Sequence, residues 1–337
     1  MRRSILSVVM LSAAVLLTAC SSGEIVVPED SSSQSGQAMS GATLDSQRTD
    51  RVLSQIQEAI NQGDSTHDAQ ALSDRVSGPA LRMRRAQYAL ADAEKGNVES
   101  LNLEAQTVTL SNSTAWPRAI VDIEAAQIGQ LPNLYMITQA DARAPYKLES
   151  WVKLFGGTQL TTVSAAQGTQ MVDAQSTGFK QTPAQALQSY VDMLNSGADG
   201  NDDFTTDEFG TAYLKNVEAL NESVKEAGSV SAEASVDPQL PISGVVLQDG
   251  SAAVAVSFTY TNTYARTVKD STLKLGGKVA TMTDNAQVTG TVTAHYIATV
   301  LLQIPPANKD AKITPLGASA VLESVSRDDS KKPQGEE

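Results

Sequence analysis

The fold turns on one stretch, Ala252-Ala253-Val254-Ala255-Val256-Ser257-Phe258-Thr259-Tyr260-Thr261-Asn262-Thr263-Tyr264. Val254, Val256, Phe258 and Tyr260 share one face of an extended chain, and Ala253, Ala255, Ser257 and Thr259 share the other, which is the period of a β-strand. So long a strand needs partners, and residues 230–236, 244–247, 268–275 and 287–304 carry the same signal. Residues 313–325 are expected to add a sheet edge. Helices precede this series. Thr182-Pro183 reads as an N-cap followed by proline at the first helical position, with Ala186, Leu187, Tyr190, Val191 and Leu194 as an apolar stripe. A second helix is expected from about Asp207 to Ala227.

Towards the N-terminus the same order occurs once more. Val52, Ile56, Ala59 and Ile60 fall on one helical face, with Gly63-Asp64 as the expected stop. Helical pieces follow at 69–76 and 79–94, where Pro79 suits a first turn and Gly96-Asn97 ends the run. From Glu99 the period changes to two: Leu101, Leu103 and Ala105, then Ala119, Val121 and Ile123, then 134–139 and 147–155. Leu131-Pro132-Asn133 and Ala144-Pro145 punctuate them. This pattern predicts an α+β chain of two tandem domains, residues 45–166 and 180–326, each with N-terminal helices packed on an antiparallel sheet.

Helices followed by a long, curved antiparallel sheet, twice over, resemble the NTF2-like (cystatin-like) cone. The segment Gly63-Asp64, Leu72-Ser73-Asp74-Arg75-Val76-Ser77-Gly78-Pro79-Ala80-Leu81 and Tyr88 is similar to uncharacterised actinobacterial lipoproteins of this layout. So are Ile304-Pro305-Pro306, Lys312-Ile313 and Leu316-Gly317-Ala318. The resemblance covers most of residues 45–326. It implies a fold and an envelope location, and no activity.

The N-terminus points to the same location. Arg2-Arg3, an apolar run over residues 5–17 and then Leu17-Thr18-Ala19-Cys20 resemble a bacterial lipoprotein signal peptide of residues 1–19. Cys20 is the only cysteine of the chain. In that family it becomes the new N-terminus and carries diacylglycerol, which implies a lipid-anchored protein on the extracytoplasmic face of the cell membrane. Each buried methylene contributes about 0.8 kcal/mol, so two acyl chains anchor firmly where one does so marginally. Residues 20–44, with Ser31-Ser32-Ser33 and Gly36, read as a flexible tether, and 327–337 as a disordered tail.

The chain carries 25 Lys and Arg against 38 Asp and Glu, a net charge of −13. Removal of the leader with Arg2 and Arg3 leaves 23 basic residues and a net charge of −15. Such a surface repels nucleic acid and anionic headgroups. A single cysteine forbids an internal disulfide, so stability is expected from core burial, for which 41% hydrophobic residues are ample. An aromatic content of 4% is low for an aromatic-lined carbohydrate groove.

Any imidazole chemistry must use His67 or His295, the only histidines. His67 lies where a helix cap or turn is expected. His295, on the polar phase of its strand with Thr291, Thr293 and Thr299, is the better candidate general base. Asp122 and Glu124 are expected to point away from the core, opposite Val121 and Ile123. The acidic loop around Asp199, Asn201, Asp203 and Asp207 has oxygens at alternate positions, as a calcium loop does. Phe204 at its sixth place and Gly210 at its twelfth count against one, and a helix cap at Asp207 is favoured. No other metal ligands and no cofactor are indicated. Gly156-Gly157 and Gly276-Gly277 fit hairpin turns, and Arg82, Arg84 and Arg85 form the one positive patch, read as a solvated helix face. The leading expectation is a non-enzymatic envelope module that binds another envelope component. The alternative is a small-molecule hydrolase or isomerase using an NTF2-like pocket.

Overall fold

The computed structural model describes residues 41–333. The signal peptide, Cys20 and all but the last residues of the 20–44 tether lie outside the described residues, as do residues 334–337 of the tail. Helices α1 (Ser46–Thr66) and α2 (Gly78–Glu94) flank a 3-10 turn at Ala69–Leu72 and precede strands β1 (Thr107–Leu110), β2 (Arg118–Ile123), β3 (Asn133–Gln139) and β4 (Lys147–Lys153). A short strand, β5 (Met171–Asp173), leads to helices α3 (Pro183–Asn195) and α4 (Glu208–Val224). Strands β6 (Gly228–Ser235), β7 (Ser243–Val246), β8 (Ala252–Arg266) and β9 (Leu273–Lys274) come next. Helix α5 (Gly277–Thr281) and strands β10 (Gln287–Val288), β11 (Thr291–Ile304) and β12 (Thr314–Asp328) complete the order. The chain is mixed α+β, with antiparallel sheets.

Local chemistry sets the helix starts. The Asp45 carboxylate accepts from Arg48 N at 2.8 Å, and Asp207 caps α4 by accepting from Gly210 N at 2.9 Å. Thr182 and Gln185 form a full capping box ahead of Pro183. Helix α1 does not stop at Gly63 but runs on to Thr66, with His67 as its left-handed cap at φ 50°. Gly63 is there for close approach: a Cβ on it would lie 2.6 Å from the Tyr88 hydroxyl.

Strands β1 to β4 form an antiparallel meander. In the larger sheet the order is β12-β11-β8-β7-β5, and β6 continues the β7 edge by pairing with the second half of β8. The segment 167–179, between the two halves expected from the sequence, thus supplies β5 to this sheet. The described residues make one compact unit. Alternate residues of each strand bury against different neighbours. Ile120, Tyr135, Ile137 and Leu148 pack with Leu53, Ile56 and Ile60 of α1 and Met83 of α2. Ala119, Val121, Leu134, Met136 and Val152, from the other face of the first sheet, pack on Ala253, Ala255 and Leu301 of the second. Val254, Val256, Phe258, Val300 and Leu302 then meet Leu187, Tyr190, Val191 and Leu194 of α3. The layers therefore run helix, sheet, sheet, helix.

At the seam between the sheets Leu154 bridges Gly317, and Phe155 N donates to Leu316 O at 2.9 Å. A Cβ at Gly317 would sit 2.5 Å from the Lys153 carbonyl, so only glycine admits this approach.

Several segments differ from the sequence reading. Leu101 and Leu103 are buried but form no strand, because Gln57 of α1 takes both backbone groups: its Nε2 donates to Leu101 O at 2.9 Å and its Oε1 accepts from Leu103 N at 2.8 Å. The stretch 268–275 is strand only at β9, and the run from 287 breaks at Gly290 into β10 and β11. Gly276-Gly277 is no hairpin turn; Gly276 caps α5. Arg327 and Asp328, assigned to the tail, pair with Val292 and Thr291.

One part of the second sheet stays open. The face shared by β6, β8, β11 and β12 carries a cross-strand row of Ser231, Thr263, Thr293 and Ser326. Beside it runs a second row of Glu233, Thr261, His295 and Ser324. All eight side chains are exposed or half-buried.

Candidate functional site

A concave feature with an apolar lining follows from the seam. The loop after β4 turns at Gly156-Gly157, with Gly157 at φ 80°, and Thr158 Oγ1 fixes it by donating to Leu316 O at 2.8 Å. The loop faces the first turns of α4, and between them lies a groove of about 770 Å³, within the usual size of a ligand site. Phe155, Pro315, Leu316 and Ala212 supply its apolar lining, and Glu208 and Lys215 bring one charge of each sign. This groove gave no signal in the sequence beyond the glycine pair and Asp207, because it forms between segments about 50 to 160 residues apart.

Of the candidate site residues singled out from the sequence, Asp207 lines this groove and the others lie elsewhere. His295 stands on the open face of the second sheet, its Nε2 2.9 Å from Ser326 Oγ. His67 stacks on Tyr88 with ring centroids 5.5 Å apart, and its Nδ1 is 2.5 Å from Asp92 Oδ1. In the acidic loop the oxygens are used separately. Asp199 accepts from Thr211 Oγ1 at 2.8 Å, Asn201 from the amides of Asp203 and Phe204, and Asp203 pairs with Lys180 at 3.2 Å. Asp207 accepts from Gly210 N and from the Tyr190 hydroxyl at 3.1 Å, and burial raises its pKa above the usual carboxylate value. Among the described residues no group of three or more His, Cys, Asp or Glu is placed to hold a metal ion, and no helix is long and apolar enough to cross a membrane.

Of the three arginines read as a solvated patch, Arg84 is internal and Arg82 is half-buried in ion pairs. Arg84 is 1% exposed; its Nε donates to Asp64 at 2.9 Å and its Nη1 to Gln87 Oε1 and Glu99 O, both at 2.8 Å. Arg82 reaches Glu323 through Nε at 3.0 Å and Nη2 at 2.8 Å, and Asp237 through Nη1 at 2.9 Å. It thereby ties α2 to the irregular pairing of β12 and to the β6–β7 loop.

Asp122 is the largest departure from the sequence reading. It points into the core on the helix side and is fully buried, and neither carboxylate oxygen has a hydrogen bond of ordinary geometry. Glu124, two residues on, is satisfied by the Tyr135 hydroxyl and by Asn133 N at 2.8 Å. Burial pushes the Asp122 carboxyl up to about 7; the nearby Glu104 and Ile123 amides pull the other way, and the charges of Glu124 and Glu104 add to the rise. Both faces of β2 are covered, so alternation alone could not tell inward from outward.

No curated protein and no solved structure matches the chain. A family model described as "Domain of unknown function (DUF8094)" matches residues 42–322, a span that runs from just before α1 into β12.

Proposed function

The chain belongs to the DUF8094 family, and from that premise we propose that it is a lipid-anchored binding module on the extracytoplasmic face of the cell membrane. It takes hold of another envelope component through the groove at the seam. Its two halves are read as tandem NTF2-like units, supported by helices that precede an antiparallel sheet and cover one of its faces in each half. Anchoring rests on Leu17-Thr18-Ala19-Cys20 after a basic start, with residues 21–44 as the spacer.

The observation that carries the binding role is the groove. Its apolar floor of Phe155, Pro315 and Leu316, flanked by Glu208 and Lys215, is the composition of a protein-binding cleft, where apolar anchors are buried and charges set orientation. A photo-reactive side chain placed at Ala212 of the full chain, activated in intact cells, is expected to yield one discrete protein adduct. The same probe at Lys274, far along the chain, is the control. Absence of an adduct specific to position 212 would overturn the binding role of the groove.

A further inference from the structure

We infer that a second cavity, framed by α2, the paired ends of β3 and β4, and β12, binds a free aliphatic α-amino acid. Its volume is about 170 Å³. At about 30 Å³ for each water, that is room for about six waters, the size of a small amino acid and too little for a nucleotide or a sugar chain. Met83, Leu101, Trp151 and Val321 give it an apolar wall. Two amides of the lining are oriented by charged neighbours. Gln87 Oε1 accepts from Arg84 Nη1 at 2.8 Å, so the end left to the cavity is Nε2, a donor. Asn133 is 5% exposed and donates through Nδ2 to Glu124 at 3.1 Å, so the end left to the cavity is Oδ1, an acceptor. Neither amide can turn over without setting donor against donor at Arg84 or acceptor against acceptor at Glu124.

Charge at the rim selects the ligand. Lys153, opposite Asn133 in the β3–β4 register, forms an ion pair with Glu99, and both line the cavity. The site thus offers a cation and a fixed amide donor together with an anion and a fixed amide acceptor, all beside an apolar wall. A zwitterion with an aliphatic side chain answers each of them. Its carboxylate pairs with Lys153 and Gln87 Nε2, its ammonium with Glu99 and Asn133 Oδ1, and its side chain lies on Met83, Trp151 and Val321. A simple acid or amine of the same size leaves one rim charge without its counterpart. The Lys153 and Glu99 side chains are 36% and 63% exposed, so parting their ion pair to admit the ligand costs little. The inference is independent of the groove.

Isothermal titration of the detergent-solubilised full chain with L-valine and L-leucine is the test. Saturable binding of at least one of them is expected, with isobutylamine and isovalerate, which each lack one of the two charges, weaker by about tenfold. Lys153→Met is expected to lose about tenfold in affinity. Glu99→Gln, at an exposed position, is expected to lose severalfold, and it decides alone should Lys153→Met fold poorly. Lys274→Met makes the same change of charge on β9 and keeps full affinity. No binding of either amino acid, equal binding of the singly charged analogues, or unchanged affinity in a folded cavity variant would overturn the proposal.

Discussion

Replacing Asp122 by asparagine is expected to stabilise the protein by about 2–4 kcal/mol at pH 8 and by little at pH 4. The folded chain holds this carboxyl at about 7, above its unfolded value, because burial disfavours the anion. Below about pH 4 the group is protonated in both states and no stability is lost. As pH rises towards 7 the unfolded chain ionises while the folded chain keeps its proton, so stability falls; above 7 the loss is complete. A rise of about three pKa units corresponds to about 4 kcal/mol, the upper end of the range. Asparagine keeps the shape and removes the titration. Urea unfolding at pH 4, 6 and 8 checks this: the difference between variant and parent should grow with pH, and parallel curves would contradict the assignment.

The second large effect runs the other way. Arg84→Met is expected to destabilise by about 3–5 kcal/mol, the range for removing one partner of a buried ion pair. Asp64 would keep only the Tyr88 hydroxyl, at 2.7 Å, and the Glu99 carbonyl and Gln87 would lose their donor. The double variant Arg84→Met/Asp64→Leu removes both charges and is expected to recover most of the loss. Thermal unfolding of the two variants decides it, and an Arg84→Met protein as stable as the parent would show that this network carries no stability.

These two positions mark the boundary of what the sequence made legible. Alternation in Val254, Val256 and Phe258 named the strand and sorted its residues into two faces, and Thr182-Pro183 and Pro79 located two helix starts, because those signals depend on residues within a few positions of each other. Asp122 was misread because its strand is sandwiched, so both phases are internal and polarity no longer marks the outside. Arg82 was read as solvated because Glu323, its partner, lies 241 residues away. The break in strand pattern at Leu101 and Leu103 depends on the Gln57 amide, a side chain on a distant helix. The seam groove was invisible for the same reason, since Gly157 and Leu316 meet only once two sheets have packed. The acidic loop was legible as far as its cap at Asp207, a contact between near neighbours.

The account depends most on where the protein is held, and Cys20 decides that. Mass spectrometry of the N-terminal peptide from protein purified out of its native membrane is the direct measurement. The account predicts a mature chain beginning at Cys20 and carrying the mass of diacylglycerol on that residue, lost together with membrane association in Cys20→Ala. A chain that begins elsewhere, or one that begins at an unmodified Cys20, would contradict it.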